Sequence, residues 1–242
     1  MARTIGRLAI VGTTVALTLV GCGAQTPSAA PATAAPTVRA TATTAPAATA
    51  SPTPAPTPAA TPVGEAGGVA WSLRGALPAG WTLDDGTFSR SENAYVEVLP
   101  DRSVMAADCV MGPQAGVGSS AASVVAELAK RKGVTASKPE SVSIGGLSGV
   151  RVDFSMAPDW TGTCPWWEAK APLVPLIGTF DAQHYWLYNA LVKGEAYRYL
   201  VFDLPDGRNV LVAVTTVDPE RFSDVIGPAM EIVSKLDFAV GS

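Results

Sequence analysis

No Phe, Trp or Tyr occurs in the first 68 residues, so all six Trp, five Tyr and six Phe of this 242-residue chain follow Gly68. Aromatic side chains bury the largest areas and dominate core energetics. Length alone allows one or two domains, but only residues 69–242 carry the material for a dense core, so one folded domain is expected there. Setting aside Arg3, Arg7, Arg39 and Glu65 leaves that part with 14 Lys+Arg against 20 Asp+Glu, a net charge of −6. Non-specific binding to nucleic acid needs the opposite sign, and no nucleic-acid partner is expected. His184 is the single histidine. It excludes zinc sites built on two or three imidazoles and leaves one candidate for any mechanism that needs an imidazole.

The chain opens with Arg3 and Arg7, continues through an apolar stretch from Leu8 to Val20 and reaches small residues at Gly21, Cys22 and Gly23. That is the pattern of a secretory leader, so residues 1–21 are expected to be removed. At ~1.5 Å per residue the apolar stretch is too short to cross a ~30 Å hydrocarbon layer as a helix. Leu19-Val20-Gly21-Cys22 resembles the lipobox of bacterial lipoproteins. The resemblance implies a diacylglyceryl group on the Cys22 thiol and cleavage just before it. The other reading is an ordinary secreted protein in which Cys22 is incidental. Because two acyl chains hold a protein stably where one does so only marginally, a lipidated Cys22 would fix the chain to the extracytoplasmic face of the cell membrane.

Between Ala24 and Gly68, 35 of 45 residues are Ala, Thr or Pro, and only Arg39 and Glu65 are charged. Such a segment has too little apolar surface to offset the entropy of ordering, and its alternating prolines from Pro52 to Pro58 favour polyproline II. Residues 22–68 are therefore expected to be the lipidated Cys and a disordered tether. Extended at ~3.1 Å per residue, it would reach roughly 140 Å.

Two stretches of the folded part have helical spacing. Ser119 to Lys132 places Val124, Val125, Leu128 and Ala129 on one side, with serine caps ahead and Lys130, Arg131, Lys132 and Gly133 as stop signals. Asp218 to Lys235 has an N-cap Asp, Pro219 at the first helical position and an apolar stripe from Phe222 to Leu236, with Gly227-Pro228 expected to kink or split it. Elsewhere the period is two. Val142 and Ile144 pair with Val150, Val152 and Phe154 across a Gly145 to Gly149 turn, and Tyr197 to Leu204 pair with Arg208 to Thr216 across Pro205-Asp206-Gly207. Trp81 to Leu83 and Tyr95 to Leu99 are further strand candidates. Together these predict an α+β fold, an antiparallel sheet with helices packed on it.

The order of these segments resembles uncharacterised bacterial lipoproteins with a PsbP-like domain. It is carried by Leu77-Pro-Ala-Gly-Trp81, the hairpin from Val142 to Phe154, the turn at Asp206-Gly207 and the closing segment from Asp218 to Phe238. The resemblance implies an α/β/α sandwich and a binding or assembly module, and it marks no site residues.

With Cys22 lipidated, Cys109 and Cys164 remain in a compartment that permits disulfides. Pairing is the default reading and a reactive thiol the alternative. Gly146-Leu147-Ser148-Gly149 falls one residue short of a nucleophile elbow and is read as a turn. No phosphate loop, His-Glu-x-x-His or calcium loop occurs, so no catalytic residues, metal or cofactor are expected. Asp101, Asp108 and Asp159 flank the two cysteines as a remote cation candidate. Seven of the 17 aromatic residues crowd into residues 155–190, a Pro-rich segment expected to be irregular. Either the rings cover a sheet face that lacks a helix, which is the commoner arrangement, or Trp166, Trp167, Tyr185 and Trp186 line a groove for a ligand. The functional expectation is a membrane-anchored, non-catalytic module with an unknown small ligand or envelope protein as partner. A hydrolase built on His184 and a purely structural envelope protein are the alternatives.

Overall fold

Residues 60–90, 93–167, 169–180 and 185–241 are described in the computed structural model. The leader, Cys22, the tether as far as Ala59 and His184 lie outside the described residues. All those described belong to one compact unit, Pro54–Ser242.

The framework is a central sheet of eight strands, every pair antiparallel. Its backbone is the hairpin of β12 (Ala196–Asp203) and β13 (Asn209–Thr216), with Tyr199 opposite Ala213. On the β13 side follow β5 (Ala94–Pro100), β4 (Thr87–Arg90) and β3 (Thr82–Asp84), and on the β12 side β9 (Leu147–Met156), which carries β7 (Val134–Ala136) and β8 (Glu140–Ile144). Every residue of β13 is buried. Val210, Val212 and Val214 join one hydrophobic cluster while Leu211 and Ala213 join another, as period two requires of a strand covered on both faces.

Each face has its own cover. One receives α2 (Phe222–Ser234) and a three-stranded sheet of β1 (Ala60–Ala66), β2 (Val69–Arg74) and β14 (Leu236–Val240). The other receives α1 (Ala121–Ala129) and a second three-stranded sheet, built from β6 (Ser103–Val104), β10 (Leu173–Phe180) and β11 (Tyr185–Val192). The α+β class and the order of elements expected from the sequence are present.

Four local expectations need correction. The tether does not extend to Gly68, because Ala60–Ala66 pairs with β2 as an edge strand whose register shifts between Pro62 and Gly64. Edge position and a bulge are what let a proline into a sheet. The turn of the β8–β9 hairpin is Gly145-Gly146 alone, at φ +57° and +79°, with Ile144 opposite Leu147, and Leu147 to Gly149 belong to β9. Two left-handed residues make the type of turn that matches strand twist, and glycine adopts them without cost. Pro228 does not split α2, which runs unbroken from Phe222 to Ser234 after a 3-10 turn at Pro219–Arg221. Burial of Val225, Ala229, Ile232 and Val233 against the sheet offsets the ~3 kcal/mol that an internal proline costs. Finally, Leu173–Phe180 and Tyr185–Val192 are paired antiparallel strands rather than irregular chain.

The start of α1 and its approach to the sheet are both pinned. Ser120 accepts from the Ser123 amide at 3.3 Å, and the Asp203 carboxylate at the end of β12 accepts from the Ala121 amide at 2.7 Å. Asn209 is fully used, donating to the carbonyls of Arg102 and Ser119 at 2.9 Å each and accepting from the Arg102 amide at 3.1 Å. These bonds fix where the far end of the helix arrives.

Candidate functional site

The last turn of α1 and the three residues after it bring Glu127, Lys130, Arg131 and Lys132 to the loop that follows β6 and to the start of β10. Basic residues suit a helix C-terminus because unpaired carbonyls gather negative potential there. Arg131 goes further. Its residue is only 6% exposed, and its guanidinium donates to the carbonyls of Met105, at 2.5 Å, and Pro175. The Nε is buried with no partner. Glu127 is the nearest carboxylate, 4.0 Å away, and it is shared with Lys130 at 2.7 Å. Burial draws the guanidinium below its ordinary value and Glu127 opposes this, but an arginine stays charged at any working pH.

Facing this helix end is the disulfide between Cys109 and Cys164, with Cα atoms 5.4 Å apart. A second tie runs beside it, where the Trp166 indole N–H donates to the Cys109 carbonyl at 2.7 Å. Trp160 is fixed on three sides. Its indole N–H donates to the Leu173 carbonyl at 3.1 Å. A Cβ on Gly133 or Gly162 would fall 2.4 and 2.2 Å from the ring, so only glycine fits at these two positions.

Between these parts lies a cavity of about 420 Å³, within reach of Ala107, Cys109, Arg131, Lys132, Trp160 and Leu173 among others. Its walls are largely apolar and its lining holds three cations against one carboxylate, Glu127. A larger hollow of about 580 Å³, on the sheet of β1, β2 and β14, has the opposite charge: Trp71 and Phe238 line it with Glu65 and Asp237 and no basic residue.

The same layer holds an interior polar cluster. Register places Glu97, Ala213, Tyr199 and Val152 in one row across the central sheet and Tyr95, Thr215, Tyr197 and Phe154 in the next. The Tyr197 hydroxyl donates to Glu195 at 3.2 Å. The Tyr199 hydroxyl and Thr215 Oγ1 are buried without a partner. Burial raises the carboxyls of Glu97 and Glu195 above the usual carboxylate range, against the opposing pull of Asn189 and Arg102 on the first and of Val192 and Tyr197 on the second. Burial and the neighbouring carboxylates push both phenols up.

Of the residues singled out in the sequence, Cys109 and Cys164 come together and Trp166 is tied to them. Trp167 is half-buried with its indole N–H unpartnered, and neither Trp166 nor Trp167 lines the 420 Å³ cavity. Tyr185 and Trp186 lie in β11 opposite Phe180 and Thr179, and their side chains are outside what is described. Among the described residues no three His, Cys, Asp or Glu side chains converge as metal ligands, so Asp101, Asp108 and Asp159 do not form a cation site. No helix among them is long and apolar enough to cross a membrane. Sequence reasoning missed Arg131, Lys132 and Trp160 as cavity residues. The signals were the Lys130-Arg131-Lys132 run, which a helix stop already explains, and the aromatic crowding that includes Trp160.

No family model matches the chain, and no curated protein matches it. Solved structures similar to it include the following two. One is the crystal structure of LpqN, involved in cell envelope biogenesis of Mycobacterium tuberculosis, at 12% identity and TM-score 0.35, covering 75% of this chain and 91% of that one. The other is the solution structure of the cyanobacterial PsbP, CyanoP, from Synechocystis sp. PCC 6803, at 13% identity and TM-score 0.30, covering 72% and 86%. At these TM-scores neither likeness bears on what this chain does.

Proposed function

We propose that the chain is a lipid-anchored lipoprotein on the extracytoplasmic face of the membrane, and that its domain is a non-catalytic module that binds a small ligand in the cavity at the end of α1. The observation that carries the reading is that cavity. Its floor is pinned by Arg131, its rim by the Cys109–Cys164 disulfide and its wall by Trp160, so the hollow is built in advance of any ligand. Preformed, largely apolar cavities with a few fixed polar groups are the usual form of small-molecule sites. The leader, the lipobox at Cys22 and the proline-rich tether supply the anchor, and a disulfide suits an exported domain.

The test uses the full chain expressed in a bacterium that acylates lipoproteins. Mass spectrometry of the mature N-terminus is expected to find an acylated Cys22, and Cys22→Ser is expected to release the protein from the membrane fraction. Native mass spectrometry of the detergent-released protein is expected to find a bound small molecule that is lost when Ala107→Trp fills the cavity. An unmodified N-terminus overturns the anchor. Turnover of ester, glycoside or peptide substrates that disappears in His184→Ala overturns the non-catalytic reading in favour of a hydrolase.

A further inference from the structure

We infer that the cavity at the end of α1 takes a single-chain amphiphile with one anionic headgroup, the apolar part lying along Trp160 and Leu173 and the anion meeting Arg131 and Lys132. The inference rests on the binding-module reading above and names the class of ligand. Four features of the site carry it.

The first is an uncompensated buried cation. Arg131 has one carboxylate within 4.0 Å, that carboxylate is already paired with Lys130 at 2.7 Å, and its Nε has no partner. A buried charge that lacks full pairing is costly, so a site of this kind gains by admitting an opposite charge. The second is Lys132, which lies past the last helical turn, lines the cavity and has no ion pair among the described residues. A helix stop needs basic residues near the last carbonyls; it does not need a cation at the mouth of an apolar hollow. The third is the wall itself, since Trp160 lines the cavity and is held there by its indole bond to the Leu173 carbonyl and by close contact with Gly133 and Gly162. The fourth is contrast within the molecule, because the 580 Å³ hollow on the opposite cover sheet is just as apolar in its walls but its charged lining residues are two acids, Glu65 and Asp237, the second of them paired with Arg74 at 2.9 Å. Charge therefore separates the two hollows, and only the one at α1 suits an anion.

Size narrows the class. A hollow of about 420 Å³ lies within the roughly 300–1,000 Å³ usual for small-molecule sites, a size that suits a medium alkyl acid.

Isothermal titration of the full chain, released from membranes by Cys22→Ser, tests this with decanoate, decyl sulfate, decan-1-ol and decyltrimethylammonium as probes. Decanoate and decyl sulfate are expected to bind, and decan-1-ol and the cation at least tenfold more weakly. Two substitutions at exposed positions leave the core intact. Lys132→Glu is expected to weaken decanoate at least tenfold, and Ala107→Trp is expected to abolish binding by occupying the hollow, with the thermal unfolding midpoint of each within a few degrees of the parent. Equal binding of decanoate and decan-1-ol overturns the charge reading. Unchanged decanoate binding in folded Ala107→Trp overturns the location, and no binding of either anion overturns the class. A neutral molecule found in the cavity by native mass spectrometry would leave the binding-module reading standing and overturn this one alone.

Discussion

The two faces of the central sheet are covered by the same inventory, one helix and one three-stranded sheet each, yet their interiors differ in chemistry. Beneath α2 the buried cluster runs through Phe88, Val96, Leu200, Phe202, Val212 and Ile232, and the hydroxyl and charged groups that period two puts on this face, Thr216 and Arg198, are paired, the first with Asp218 and the second with Asp153. Its buried unpaired polar atoms are the indole N–H groups of Trp71 and Trp81. Beneath α1 the apolar cluster is interrupted by Arg131, Tyr197, Tyr199, Thr215 and Glu97, and it is stapled by a disulfide. Hydrocarbon packing is the cheapest way to stabilise a layer, and buried polar groups without partners are among the costliest features a core can carry. The α2 face is therefore the part that holds the fold. The α1 face gives up stability, and it is also the face with the pinned, electropositive cavity.

Truncation beneath α2 is expected to have the largest effect. Phe202 is fully buried against α2 and the β2–β14 layer, and Phe202→Ala is expected to cost about 3–5 kcal/mol. For a domain of this size that lowers the melting temperature by on the order of 10 °C. A loss below about 1 kcal/mol in chemical denaturation would mean that the layer collapses around the hole and is not the organising core.

Next in size is the staple on the other face. The Cys109–Cys164 bridge closes a loop of 55 residues, for which chain entropy gives roughly 4 kcal/mol. Replacing both cysteines by serine is expected to lower stability by up to that amount. Hydrogen exchange is expected to rise chiefly in residues 105–113 and 157–172, where the bridge and the Trp166 bond to Cys109 hold two loops together, and to change least beneath α2. Uniform loss of protection would refute the division of labour between the faces.

What could be read from the sequence follows the same division. The β12–β13 hairpin, α1, α2 and the β8–β9 pair were legible because each is built from local periodicity with its own caps or turn. β1 was not, since Ala60–Ala66 has tether composition and becomes a strand only because β2 presents an edge to it. The β10–β11 pair was hidden by Pro172, Pro175 and Gly178 and by two register shifts that break its period. The cavity was illegible for a related reason. Lys130, Arg131 and Lys132 read equally well as a helix stop, and only the tertiary path turns Arg131 inward to the carbonyls of Met105 and Pro175. The aromatic crowding pointed to the right neighbourhood through Trp160, which sets the wall, while Trp166 serves to tie down the disulfide loop.

A smaller effect, of opposite sign, is expected from Tyr199→Phe. The ring stays packed edge-on against Phe154 at 5.4 Å between centroids, and the change removes only a hydroxyl that is buried without a partner. An orphaned buried hydroxyl costs ~1–3 kcal/mol, so the variant is expected to be more stable by about 1 kcal/mol in urea denaturation. A clear loss of stability would show that the hydroxyl has a bound water or ligand, and the polar face would then be less costly than the comparison holds.

The finest probe of the contrast is pH. Burial raises the Glu97 carboxyl above its ordinary value, and the Glu195 carboxyl likewise. An acid whose pKa is higher in the folded state holds its proton more tightly there, so between the unfolded and folded values the native protein carries more protons than the unfolded chain and stability falls as pH rises. Below the unfolded value, near pH 4.5 for a glutamate, the penalty is absent; above the folded value it is fully present and constant. Glu97→Gln keeps the shape and a hydrogen-bonding amide but cannot ionise. It is expected to stabilise the domain at pH 7, with the gain over the parent shrinking as pH falls and vanishing below about 4.5. Denaturant midpoints for both proteins at pH 4, 5, 6 and 7 check the sign. A gain that is the same at every pH would trace the effect to packing, and a gain that grows toward acid would mean that Arg102 outweighs burial and that Glu97 is a partner rather than a burden on this face.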